Sequence, residues 1–126
     1  MKAYVIAAET IKDPAMFDDY RKVVPETVTP FGGRFVARGG NLSVLEGEWP
    51  HSRLVIIEFP SRADAEGWYK SPAYQKIISL RHKSSVGNLV IVERHRTSLD
   101  EHEDLASSAI GARHTSIMPM EAKAAQ

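Results

Sequence analysis

The chain has no cysteine among its 126 residues. That excludes disulfides, zinc–thiolate sites and a thiol nucleophile, and it suits a reducing compartment, so the expected location is cytoplasmic. Net charge is also missing: 16 Lys and Arg balance 16 Asp and Glu. Such a chain has no overall field to recruit nucleic acid or an anionic membrane, and neither partner is expected. No apolar run reaches the length of about eighteen residues that a spanning helix needs. The N-terminal stretch MKAYVIAAET is short and alternates like a strand, so it does not read as a signal peptide. The length is that of one domain, with core enough to fold without metal or disulfide staples.

The periodicity predicts four strands and the helical segments between them. Lys2 to Thr10 is apolar on both alternating sets, as in a strand buried on both faces. Asp13-Pro14 then opens a helix, with Asp as N-cap and Pro at the first position. Phe17, Tyr20, Val24, Val28 and Phe31 follow at helical spacing. Pro25 should kink or split this helix, and Gly32-Gly33 ends it. Arg34 to Arg38 reads as an edge strand, with Arg34, Val36 and Arg38 on one face and Phe35 and Ala37 on the other. Leu42 to Glu46 is a candidate extension of it. Arg53 to Pro60 is a third, central strand, in which Leu54 and Ile56 oppose Val55, Ile57 and Phe59. Ser61, with Asp64 three residues on, caps a helix carrying Trp68 and Tyr69, and Ser71-Pro72 opens another with Tyr74, Ile77, Ile78 and Arg81. Asn88 to His95 is the fourth strand.

The order strand, helix, strand, strand, helix, strand is the ferredoxin-like βαββαβ arrangement, an α+β fold with an antiparallel sheet. Its helices cover one face of the sheet, yet the other face is apolar too. The simplest cover is a second copy, which predicts a homodimer with sheets face to face, a dimeric α+β barrel. This domain spans residues 1–96. Residues 97–126 read as a C-terminal extension: Ser98 with Glu101 matches a capping box for a short helix, Asp100 to Asp104 is acidic, and the remainder has the composition of a mobile tail.

Familiar catalytic signatures are missing. The glycine pairs Gly32-Gly33 and Gly39-Gly40 frame a strand, and no GK[ST] or helix start follows, so they are turns and not a phosphate cradle. His51, His82, His95, His102 and His114 have no metal-ligand spacing, and no metal site is expected. No GxSxG elbow accompanies the Ser, His and Asp residues. What remains is a set of charges and aromatics on regular elements. Glu58 interrupts an apolar face, and a charge there needs a partner. It is either a structural carboxylate bonded to an arginine, or a general base of raised pKa beside Arg38, which would steady an anion. Tyr20, Arg34, Trp68, Tyr69 and Tyr74 are the candidate pocket residues, the alternative for the aromatics being simple core.

The segments GGRFVARGG, LEGEW, RLVIIEFPS and WYKSPAYQ, in that order, resemble the hallmark segments of the DUF1330 family of small bacterial proteins of unknown function. The resemblance implies a ferredoxin-like, dimeric α+β barrel, a superfamily that includes cofactor-independent monooxygenases, isomerases, dehalogenase-like and haem-handling proteins. It marks Gly33, Arg34, Arg38, Gly39, Glu58, Trp68, Tyr69 and Tyr74 as candidates and supplies no catalytic residues of its own. Two functions follow as expectations. One is an enzyme without a tightly bound cofactor, acting on a small organic molecule, with Glu58 and Arg38 as catalytic residues. The other is a non-catalytic ligand-binding or structural dimer, in which the charged residues form an interface network.

Overall fold

A computed structural model describes residues 1–96. The extension expected at 97–126, with its capping box at Ser98, its acidic run, His102 and His114, lies outside the described residues. Four strands and three helices run in the order β1 (Ala3–Ile11), α1 (Pro14–Val28), β2 (Arg34–Arg38), β3 (Arg53–Phe59), α2 (Arg62–Lys70), α3 (Pro72–Ser84) and β4 (Ser85–Glu93). All lie within the unit Met1–Arg94. The sheet order is β2-β3-β1-β4, every neighbouring pair antiparallel. β1 and β3 are central, as their two-sided apolarity requires.

Helix boundaries follow local chemistry. Asp13 accepts from the Met16 N–H at 3.1 Å, and Pro14 occupies the first position, where its missing donor costs nothing. Ser61 accepts from the Asp64 N–H at 3.0 Å, and Ser71 from the Tyr74 N–H at 3.2 Å. A 3-10 turn over Thr29–Phe31 follows α1, and Gly32 at φ 76° reverses the chain. At Gly33 a Cβ would lie 2.6 Å from both Phe59 and Val28, so only glycine lets β2 lie this close to the core.

The helices cover one face. Phe17, Tyr20, Val24 and Val28 of α1 meet Val5, Ala7, Val55, Ile57 and Phe59 of the sheet, with Trp68 and Tyr74 buried between them. Trp68 packs 4.2 Å from Tyr74, ring centroid to centroid, and its indole N–H donates to Thr27 Oγ1 at 3.0 Å. Removing such a ring costs about 3–5 kcal/mol. No described element covers the other face, where Val86, Val90 and Val92 are about half exposed beside Tyr4, Ile6, Leu54 and Ile56.

Three expectations change. Pro25 does not split α1, which runs unbroken to Val28. Leu42 to Glu46 is loop, leaving Leu42, Val44 and Leu45 exposed. β2 does not keep a simple alternation: a bulge between Phe35 and Ala37 pairs Phe35 with Ile57 but Ala37 with Ile56. Arg34 and Arg38 therefore point to opposite faces, because one inserted residue reverses every side chain beyond it.

Candidate functional site

The two candidate catalytic residues are separated by that bulge. Arg34 sits opposite Glu58 on the open face, while Arg38 sits opposite Val55 on the helix-covered face. Glu58 accepts from Arg34 Nε at 2.8 Å, from the Tyr4 hydroxyl at 3.1 Å and from Lys2 Nζ at 3.3 Å. The Arg34 hydrogen bond, with those of Lys2 and Tyr4, holds the Glu58 carboxyl below the usual carboxylate range against an opposing desolvation effect. The expected general base of raised pKa is thus an ionised, well-bonded carboxylate. Burial, then the Glu58 carboxylate, pushes the Tyr4 phenol up.

On the covered face a different cluster converges. Glu9 of β1 follows Ala3, Val5 and Ala7 on the same alternating set and is 2% exposed. It accepts from Arg81 Nε at 3.1 Å, and Arg53 Nε stands 3.5 Å from its other oxygen, at ion-pair distance. Arg53 faces Glu9 directly across the strand pair. Among the described residues its buried Nε–H has no hydrogen-bond acceptor, and its guanidinium lies 5.3 Å from the centre of the Phe17 ring. Gly39, at φ 70°, makes room for it, since a Cβ there would strike the Arg53 guanidinium.

Arg38 completes the group, and Pro25 explains how it is held. Proline has no N–H, so the Arg21 carbonyl one turn earlier loses its helical donor. Arg38 donates to that carbonyl at 2.6 Å, while its guanidinium lies 4.4 Å from the Phe35 ring centre. Burial, then the charges of Arg53 and Arg21, pulls the Arg38 pKa below its ordinary value. It stays a cation, because guanidinium deprotonates far above neutrality. No carboxylate among the described residues pairs with it.

Between these groups lies a small cavity of about 30 Å³, lined by Glu9, Arg38, Arg53, Phe17, Tyr20 and Phe35 with apolar residues of the core. Arg38 and Arg21, both exposed, mark its mouth between α1 and β2. Tyr20 and Tyr74 join hydroxyls at 2.9 Å behind it. Burial pushes both phenols above their ordinary value, so both are neutral hydroxyls.

Of the residues expected from the sequence, Tyr20, Trp68 and Arg38 line this cavity. Tyr74 is fully buried core, and Arg34 and Glu58 lie on the opposite face. Tyr69 lines a second, open groove of about 360 Å³ with Trp68, Arg62, Leu89, Val90 and Ile91. Arg62, the one charged side chain among the described residues there, meets Glu66 at 3.5 Å. The residues missed were Glu9, Arg53 and Arg81. The signal for Glu9 was its place in register with Ala3, Val5 and Ala7, and for Arg81 its place on the buried stripe of α3.

Among the described residues no group of three or more His, Asp or Glu side chains is arranged to hold a metal ion, and no helix is long and apolar enough to cross a membrane.

Solved structures share the fold at low identity. A protein of unknown function from Rhodopseudomonas palustris is 15% identical over 76% of this chain and 84% of its own, with a TM-score of 0.63. A dimeric ferredoxin-like protein of unknown function from Jannaschia sp. CCS1 is 13% identical over 75% of this chain and 100% of its own, at 0.58. SnoaB, a cofactor-independent oxygenase from Streptomyces nogalater, is 13% identical over 77% of this chain and 96% of its own, at 0.55. Likeness at this level establishes a ferredoxin-like α+β fold. No curated protein matches the sequence. The family pattern described as "Domain of unknown function (DUF1330)" matches residues 2–95, and the chain belongs to that family.

Proposed function

We propose that this protein is a homodimer of the α+β barrel type that takes a small organic molecule into the pocket on the helix-covered face of each subunit. The observation that carries the reading is the convergence of Glu9, Arg53 and Arg38 on one cavity walled by Phe17, Tyr20 and Phe35. Charged groups are costly to place against aromatic core, and function is the usual reason for keeping them there. The uncovered apolar face supports the homodimer: a second copy would bury Ile6, Ile56, Val90 and Val92 together. Similarity in fold to a cofactor-independent oxygenase keeps an enzymatic role open by analogy alone.

For Glu58 a non-catalytic role is favoured by its three hydrogen bonds and its lowered pKa. It would act as part of a charged rim around the apolar face that pairs with the second copy.

Native mass spectrometry of protein taken directly from cells tests both parts. The expected result is a dimer carrying a small molecule that Arg38→Ala protein no longer retains. A monomer would contradict the pairing, and a ligand retained equally by Arg38→Ala would contradict the pocket.

A further inference from the structure

We infer that the pocket is built for a carboxylate, received by Arg38 and Arg53, with a flat apolar body lying toward the mouth against Phe35 and Phe17. The inference rests on the proposed pocket and adds the chemical class of its ligand.

The charges around the cavity do not balance. Among the described residues Glu9 is the one carboxylate in the cavity wall, against Arg38 and Arg53 in that wall and Arg81 bonded to Glu9, while Arg21 at the mouth pairs with Asp18. Arg81 spends its Nε–H on Glu9, but Arg53 leaves a buried Nε–H without an acceptor, and Arg38 has only a backbone carbonyl. Buried donors are seldom left unmatched, and the Arg53 Nε–H, with the exposed Arg38 guanidinium at the mouth, offers an anion two cations at once. Arg38 and Arg53 also each lie over an aromatic ring, at 4.4 Å from the Phe35 centre and 5.3 Å from the Phe17 centre. A guanidinium has five N–H donors, so each of the two keeps donors beyond those already engaged for a planar oxygen pair, which is the geometry a carboxylate offers.

Size points the same way. A cavity of about 30 Å³ admits a carboxylate-sized group but not a ring. The remainder of the ligand must lie outward, between α1 and β2, where the walls are aromatic. A cationic ligand would meet the same charges as repulsion.

The test is a titration of the full chain with benzoate and with benzamide, which has the same shape and no charge. It is followed by NMR at the Trp68 indole N–H and the arginine Nε–H signals. Benzoate is expected to bind at least about tenfold more tightly than benzamide. Arg38→Ala should weaken benzoate about tenfold and leave benzamide within about twofold, whereas Lys76→Ala, which removes an exposed positive charge elsewhere, should change neither. Equal binding of the two ligands would overturn the carboxylate inference and leave the small-molecule pocket standing. Shifts from neither ligand at millimolar concentration would also overturn it, and a neutral compound retained by protein from cells would then identify the pocket's true class of ligand.

Discussion

On the covered face of the sheet, Glu9 is 2% exposed and held between Arg53 and Arg81; on the open face, Glu58 is held by Arg34, Lys2 and Tyr4, and the Arg34 side chain is 70% exposed. Both glutamates meet cross-strand partners, Glu9 opposite Arg53 and Glu58 opposite both Tyr4 and Arg34. The same pairing serves different ends because the surroundings differ. Under the helices water is scarce, so charge is expensive and must be matched, and the mismatch that remains can act on a ligand. On the open face the Glu58 side chain is 12% exposed, but its partners Arg34 and Lys2 stand in water, which screens their charges and keeps the pairs' contribution to the free subunit small. A glutamate among arginines is therefore informative only once its face is known.

The largest expected difference between the faces is in stability. Glu9→Ala leaves the buried Arg81 uncompensated and should cost about 3–5 kcal/mol. Glu58→Ala should cost under about 1 kcal/mol. Urea denaturation of the two variants side by side breaks the comparison if the costs are equal.

Pro25→Ala sharpens it from the other direction. The new N–H can reach the Arg21 carbonyl, closing the helix and releasing Arg38 from its acceptor. Stability should rise by about 1–3 kcal/mol while benzoate affinity falls, a split that thermal melts and the NMR titration together would detect.

Val90→Asp places a charge in the middle of the open face, on a side chain already 52% exposed. The subunit should keep its helical circular dichroism and lose its dimer in sedimentation velocity. A variant still dimeric would move the pairing surface elsewhere.

The smallest effect concerns pH. Because the folded Glu58 carboxyl titrates below its unfolded value of about 4.3, its contribution is complete above that pH and disappears as pH falls through the depressed folded value. The stability difference between wild type and Glu58→Gln should therefore shrink on acidification from pH 6, a trend that chemical denaturation at several pH values would follow. A difference that grew in acid would mean the carboxyl is raised instead.

Much of the fold was legible because local chemistry set it. The caps at Asp13, Ser61 and Ser71 and the two-sided apolarity of β1 and β3 gave element order and the central strands. β4 begins at Ser85, three residues before its expected start, since nothing in Ser85-Val86-Gly87 distinguishes a strand from a helix end. The site was less legible. The bulge in β2 has no mark in the sequence, and it turned Arg38 to the face opposite Glu58, from which it is already separated by the length of the strand. Pro25 signalled a helix break, but the missing hydrogen bond is supplied from outside by Arg38, a residue thirteen positions further along the chain. Glu9 was hidden by the alanines around it, and its two arginines come from β3 and α3.

A crystal structure of the protein grown with benzoate would show both faces of the sheet at once. The carboxylate should lie within hydrogen-bond distance of Arg38 and Arg53, under the helices, and a second subunit should pack on Val90 and Ile56. Benzoate bound between the open faces beside Arg34, with the cavity at Glu9 unchanged, would contradict that placement.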